Sequence, residues 1–183
     1  MLYNNYYMNI QEMEPAILSV INAIPEEARK IDGANDARWT RVVKEQFIQL
    51  GKQYGYFTCT SGFEECDGEW LFDLCWYANN DPKYEPDVEK RHMSQFVLAL
   101  ESEWNPSFTH IKGDFEKLLV VKAPFKVMIF QASNRTVDEL FDKLEECIKF
   151  FSSKPVGERY ILACYENNTG RFKTKVIVNG AVT

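Results

Sequence analysis

The sequence predicts an α/β fold in which helices flank both faces of a mixed central sheet. Three observations carry that expectation. Segments of helical and strand periodicity follow one another in the order α-α-β-β-β-α-β-α-β-β, without a repeat, a low-complexity tract or an obvious linker. The stretch 123–132, "APFKVMIFQA", is an apolar run bounded by turn residues, the pattern of a strand buried on both faces. The 183 residues are 45% hydrophobic and 14% aromatic, enough for one compact domain with a sizeable core. Residues 1–183 are therefore expected to form a single domain, with 1–35 as an N-terminal helical extension.

In "EPAILSVINAI", Pro15 suits a first helical position, Ile17, Leu18, Val20, Ile21 and Ile24 supply the apolar residues, and Pro25 is expected to end the helix. "IDGANDARW" is polar and turn-forming, and Asn35 or Asp36 can cap the next helix. Apolar residues at 39, 42, 43, 47 and 50 make "ARWTRVVKEQFIQLGKQYG" an amphipathic helix, with Gly51 and Gly55 near its end. "YFTCTSG" reads as a short strand and "EWLFDLCWY" as a longer one. "ANNDPKYEPDVEKRH" carries two prolines and many charges and reads as a loop. "SQFVLALESEW" is the next strand. Beyond "PSFTHIKG", Asp114 is expected to open a short helix over "DFEKLLVVK". Thr136 and Glu139 form a capping box for the clearest helix, whose apolar face is Val137, Leu140, Phe141, Leu144, Ile148 and Phe151. "RYILACYEN" and "FKTKVIVNG" are two further strands, joined by "NTGR" with Gly170.

Composition narrows the chemistry. No stretch approaches ~20 uninterrupted apolar residues, so no membrane span is expected. "MLYNNYYMNIQEME" lacks a basic region followed by an apolar one, so a cytoplasmic location is expected. The five cysteines (59, 66, 75, 147 and 164) contain no C-x-x-C pair and are expected to be reduced, mostly buried thiols. Two histidines, His92 and His110, make a His/Cys zinc cage improbable; a metal site here would use oxygen ligands and hold Mg²⁺, Mn²⁺ or Ca²⁺. A net charge of −6 argues against an unaided grip on nucleic acid, because neutralised phosphates supply most non-specific affinity.

The residues that point to chemistry are acids at strand ends. Alternation puts Val97, Ala99, Glu101 and Glu103 on one face of their strand, and Phe96, Leu98, Leu100, Ser102 and Trp104 on the other. In the preceding strand, Leu71, Asp73 and Cys75 share a face opposite Phe72, Leu74 and Trp76. Asp73 is thus a single carboxylate amid apolar residues. A buried carboxylate costs several kcal/mol unless paired or metal-bound. Two such acids on adjacent strands repel each other, and a divalent ion between them relieves that repulsion.

An acid on one strand, an acid on the next and a nearby lysine resemble the PD-(D/E)XK nuclease superfamily, and residues 37–132 resemble its αβββαβ core in order. The resemblance implies a restriction-endonuclease-like fold, with Asp73 and Glu101 as the metal-binding acids and the Ser102 carbonyl as a further ligand. Glu45 sits where some members carry an additional acid. Glu103 stands at the position of the family's lysine, and Lys117, one turn into "DFEKLL", is the candidate replacement. "EWLFDLCWY", "LALESEW" and "DFEKLL…KAPFKVMIF" together look like a group of bacterial proteins assigned to this nuclease fold.

The expected function is metal-dependent hydrolysis of phosphodiester bonds, in DNA ahead of RNA. Mg²⁺, or Mn²⁺ in its place, would be held by Asp73, Glu101, Ser102 and Glu45. Glu103 would add a ligand or act as base, and Lys117 would steady developing charge. The alternative is a catalytically inactive module that binds a protein partner, and a homodimer stays open; a hydrolase of a small phosphate compound is a third option. A nuclease should present a basic surface from Arg91, Lys112, Lys117, Lys122 and Lys126, whereas a binding module should present an apolar patch. Bland readings stand beside each choice. Asp73 could be a hydrogen-bonded structural acid, Glu45 could pair with Arg41, and Trp70, Trp76 and Trp104 could serve packing.

Overall fold

The computed structural model describes residues 10–31, 35–79, 92–132 and 136–180. Helices α1 (Ile10–Arg29) and α2 (Asp36–Gln53) precede strands β1 (Phe57–Thr60), β2 (Leu74–Asn79) and β3 (Met93–Glu103). Helix α3 (Phe108–Val120) leads to β4 (Phe125–Gln131), α4 (Val137–Phe150) leads to β5 (Arg159–Glu166), and β6 (Arg171–Val178) follows. This is the order the sequence predicts. The six strands lie side by side in chain order. Pairing is antiparallel from β1 to β3 and between β5 and β6, and parallel from β3 through β4 to β5. The sheet is mixed, as expected.

Topology assigns the helices to layers. Two successive crossovers that advance the same way and share the usual right hand must place α3 and α4 on one face. There Ile111, Phe115, Leu118, Leu140, Phe141 and Leu144 pack on Ala99, Met128, Phe130 and Leu162. The other face is covered by α1 and α2, whose Ile17, Ile21, Val43 and Phe47 meet Leu74, Trp76, Leu98, Leu100, Val127 and Ile129. β4 is thus buried on both sides, the expectation drawn from its apolar run.

The caps follow local chemistry. Asn35 Oδ1 accepts from the Arg38 N–H at the start of α2, and Thr136 Oγ1 accepts from the Glu139 N–H at the start of α4. Gly55, at φ +73, takes the left-handed conformation just beyond α2.

Four local expectations are corrected. Helix α1 starts before Pro15 and continues past Pro25. Met13, Ile17, Ile21, Ile24 and Ala28 form one buried stripe running through both prolines. Its packing outweighs a proline cost of ~3 kcal/mol. Helix α3 opens at Phe108 after Ser107, so Asp114 lies inside it; Ile111 and Phe115 extend its buried face toward the N-terminus. Strand β2 begins only at Leu74, so Phe72 escapes the predicted alternation and joins the α3/α4 layer beside Cys75. In β3, Trp76 pairs with Leu98 and Tyr77 with Phe96, leaving Val97 as a bulge residue. Val97 therefore packs with Leu98, and Phe96 with Ala99, reversing the predicted faces at those two positions. From Leu98 onward the predicted alternation holds.

Candidate functional site at one end of the sheet

Leu74 pairs with Leu100 at the end of the β2–β3 ladder, and Asp73 and Glu101 are the residues just beyond that pair, near enough for the Asp73 charge to act on Glu101. The two acids thus meet at the end of the β2–β3 pair, where β3 outruns its neighbour. Asp73 is held by its surroundings. Its Oδ2 accepts from the Ser102 N–H at 2.9 Å and from Ser102 Oγ at 2.6 Å, while its carbonyl accepts from Thr60 Oγ1 at 2.7 Å. With β2 already ended, a side-chain acceptor stands in for the strand that would have paired with Ser102. These bonds fix the position of the Asp73 carboxylate. Its flanks are also less apolar than they read, because Trp70 and Leu71 are exposed.

Glu101 is in the opposite situation. It is 3% exposed and sits in the α3/α4 layer beyond Ala99. Lys117 Nζ lies 3.2 Å from its Oε1 as an ion pair, and that ammonium is the one partner of this buried oxygen among the described residues. The same ammonium lies 2.7 Å from Asp114 Oδ1. Burial, and then the negative charge of Asp73, push the Glu101 carboxyl up to about 8; Lys117 opposes the rise and Asp114 adds to it. Burial works against the Lys117 charge, but Asp114 and Glu101 outweigh it and hold its pKa above the ordinary value.

The other candidates are arranged around this centre. Glu103 Oε1 accepts from the Asn105 N–H at 2.7 Å, and its Oε2 lies 3.8 Å from His110 Nδ1. Glu45 belongs to α2, in the opposite layer, and receives Arg41 Nε at 2.9 Å. Ser102 enters through its N–H and hydroxyl. Trp104 Nε1 donates to Thr40 Oγ1 and its ring packs 5.2 Å from that of Trp39, a packing role. The expected basic surface is only partly built. Lys126 is buried, with Nζ 2.7 Å from Glu158 Oε2 and 3.2 Å from Tyr160 Oη, and Lys112 is paired with Glu116. Arg91 lies outside the described residues.

Asp114 was missed because the helix was started at it. The spacing of Phe108, Ile111, Phe115 and Leu118 carries the signal: it extends the helix upstream and sets Asp114 one turn before Lys117. Lys44 was missed as well; it is buried on α2, reaching Ser61 Oγ at 3.1 Å and Glu69 Oε2 at 3.3 Å.

Among the described residues, no three Asp, Glu, His or Cys side chains are grouped closely enough to hold a metal unaided. Two opposed carboxylates suit an ion that keeps several waters and takes substrate phosphates as further ligands, which is the habit of Mg²⁺. No protein-family model, curated protein or solved structure matches this chain.

Proposed function

We propose that this chain is a metal-dependent phosphodiesterase of restriction-endonuclease-like architecture, acting on nucleic acid, DNA ahead of RNA. The observation that carries the reading is the buried Glu101 oxygen, whose one partner among the described residues is the Lys117 ammonium and which feels the charge of a second acid, Asp73. Such a pair calls for a cation. The architecture supports it: an antiparallel unit β1–β3 is followed by a helix and a parallel strand, with the acids at the end of β2–β3.

Asp73, fixed by Ser102 and Thr60, would be the rigid side of the cation site, and Glu101 the side that ionises on binding. A bound Mg²⁺ or Mn²⁺ supplies Lewis acidity and an acidified water. Glu103, whose side chain is 20% exposed at the end of β3, would accept a proton from water in this reading. Lys117 supplies positive charge beside developing negative charge on phosphate. The Ser102 carbonyl is the further oxygen ligand in this reading. Glu45 is engaged with Arg41 and contributes only if that ion pair opens.

Cleavage of double-stranded DNA, single-stranded DNA and RNA in Mg²⁺ or Mn²⁺ tests the reading. We expect metal-dependent scission that Glu101→Gln and Asp73→Asn reduce by ~10²-fold or more while both variants stay folded. A cleavage rate unchanged in both folded variants would sink the assignment. A second reading, an inactive nuclease-fold module, is favoured by the engagement of Lys112 and Lys126 with acids, which weakens the basic track. It predicts that all three substrates stay intact at millimolar metal.

A further inference from the structure

We propose that Lys117 is the resident counter-cation of the site, which an incoming divalent ion must displace, and that Asp114 is the positioning residue that receives the displaced ammonium. The proposal rests on the cation-site reading above and adds what governs entry to it.

The contacts carry the argument. Lys117 Nζ is 3.2 Å from Glu101 Oε1 and 2.7 Å from Asp114 Oδ1, so the ammonium is shared by the two acids and lies nearer Asp114. It compensates Glu101 chiefly by charge while lying closest to Asp114. The Lys117 side chain is 36% exposed and that of Glu101 only 4%, so the lysine can swing outward whereas the acid cannot. Asp114 lies three residues before Lys117 on α3, the spacing that keeps both on one face through the movement.

The charge balance points the same way. Two further acids, Asp73 and Asp114, act on Glu101, and the positive charge beside its buried oxygen is that of Lys117. A divalent ion at Glu101 would repel an ammonium ~3 Å from the same oxygen, so the two compete. Entry of the ion then sets Lys117 free at the edge of the site, where a substrate phosphate arrives. Cation binding and the readiness of Lys117 for an anion become one event. The same coupling lowers cation affinity in the absence of substrate.

Calorimetric titration of Mn²⁺ into the full chain at pH 8 tests this with Lys117→Met and Lys117→Arg. Removing the ammonium lets Glu101 bind a proton more readily, which opposes metal. That loss is smaller than the gain, because a lysine repels a divalent ion twice as strongly as a proton. Lys117→Met should bind Mn²⁺ about tenfold tighter or more, and Lys117→Arg should stay near the wild type. Equal or weaker binding by Lys117→Met overturns the exchange while leaving the cation site standing. No binding by any form, with or without a short DNA duplex, defeats the cation site and the exchange together. A metal-free measurement separates these outcomes further: the carboxyl ¹³C titration of Glu101 should move to higher pH in Lys117→Met, and an unmoved midpoint also overturns the role given to Lys117.

Discussion

Glu101 gives the stability of the protein a pH dependence above the usual carboxylate range. Its folded-state pKa of about 8 lies above the ordinary 4.5, so between those values the native state holds more protons than the unfolded chain. Stability therefore falls as pH rises through this window, and the loss is complete above about 8. Glu101→Gln keeps the shape and removes the titration. It should melt close to the wild type at pH 5 and several degrees higher at pH 9 in metal-free buffer. A difference in Tm that is the same at both values would contradict the burial argument. The sequence made Glu101 legible as an acid ending an apolar strand. It could not show that Asp73 is already satisfied, because its partner Ser102 lies 29 residues away and its bond exists only once β2 and β3 pair.

Elements were legible where periodicity is long and obscured where packing overrides local chemistry. Helices α2 and α4 carry their own caps and stripes, and the sequence located both. Helix α1 was cut short at its prolines and α3 at a residue that looked like a cap, yet in each case a buried stripe continues through the break. Gly51 shows the same limit: it read as a helix-end glycine, but α2 runs on to Gln53. Its role is close approach. A Cβ at position 51 would lie 2.7 Å from Trp76 Nε1, and that indole is buried and donates to the Phe47 carbonyl at 3.1 Å. Gly51→Ala should therefore destabilise by ~1–3 kcal/mol by forcing α2 away from β2. Urea unfolding reads this directly, and a midpoint equal to the wild type would show that the contact gives way freely.

For the whole molecule, the succession of elements along the chain was readable, and the six strands lie across the sheet in that same succession. The distribution of charge was not. Lys126 looked like part of a basic surface, but β4 is central and its side chain points into the α3/α4 layer, where only Glu158 and Tyr160 make an ammonium tolerable. Burial holds the Lys126 pKa below its ordinary value even with Glu158 beside it. Glu158→Gln leaves that cation without its counter-charge and should cost ~3–5 kcal/mol. Retention of wild-type stability would mean that Lys126 finds other compensation. With this lysine withdrawn and a net charge of −6, the proposed function would require a bound metal ion to supply much of the positive charge that a phosphate meets.

The central claim is that Asp73 and Glu101 form a divalent-cation site. Its most direct test is calorimetric titration of Mn²⁺ at pH 7 in two buffers of different ionisation enthalpy, with and without a short DNA duplex. Because Glu101 is protonated below about 8, binding should release about one proton from the wild type. Glu101→Gln should abolish both the binding and the release. Absence of binding in every condition, duplex included, or binding that Glu101→Gln leaves intact, would contradict the account.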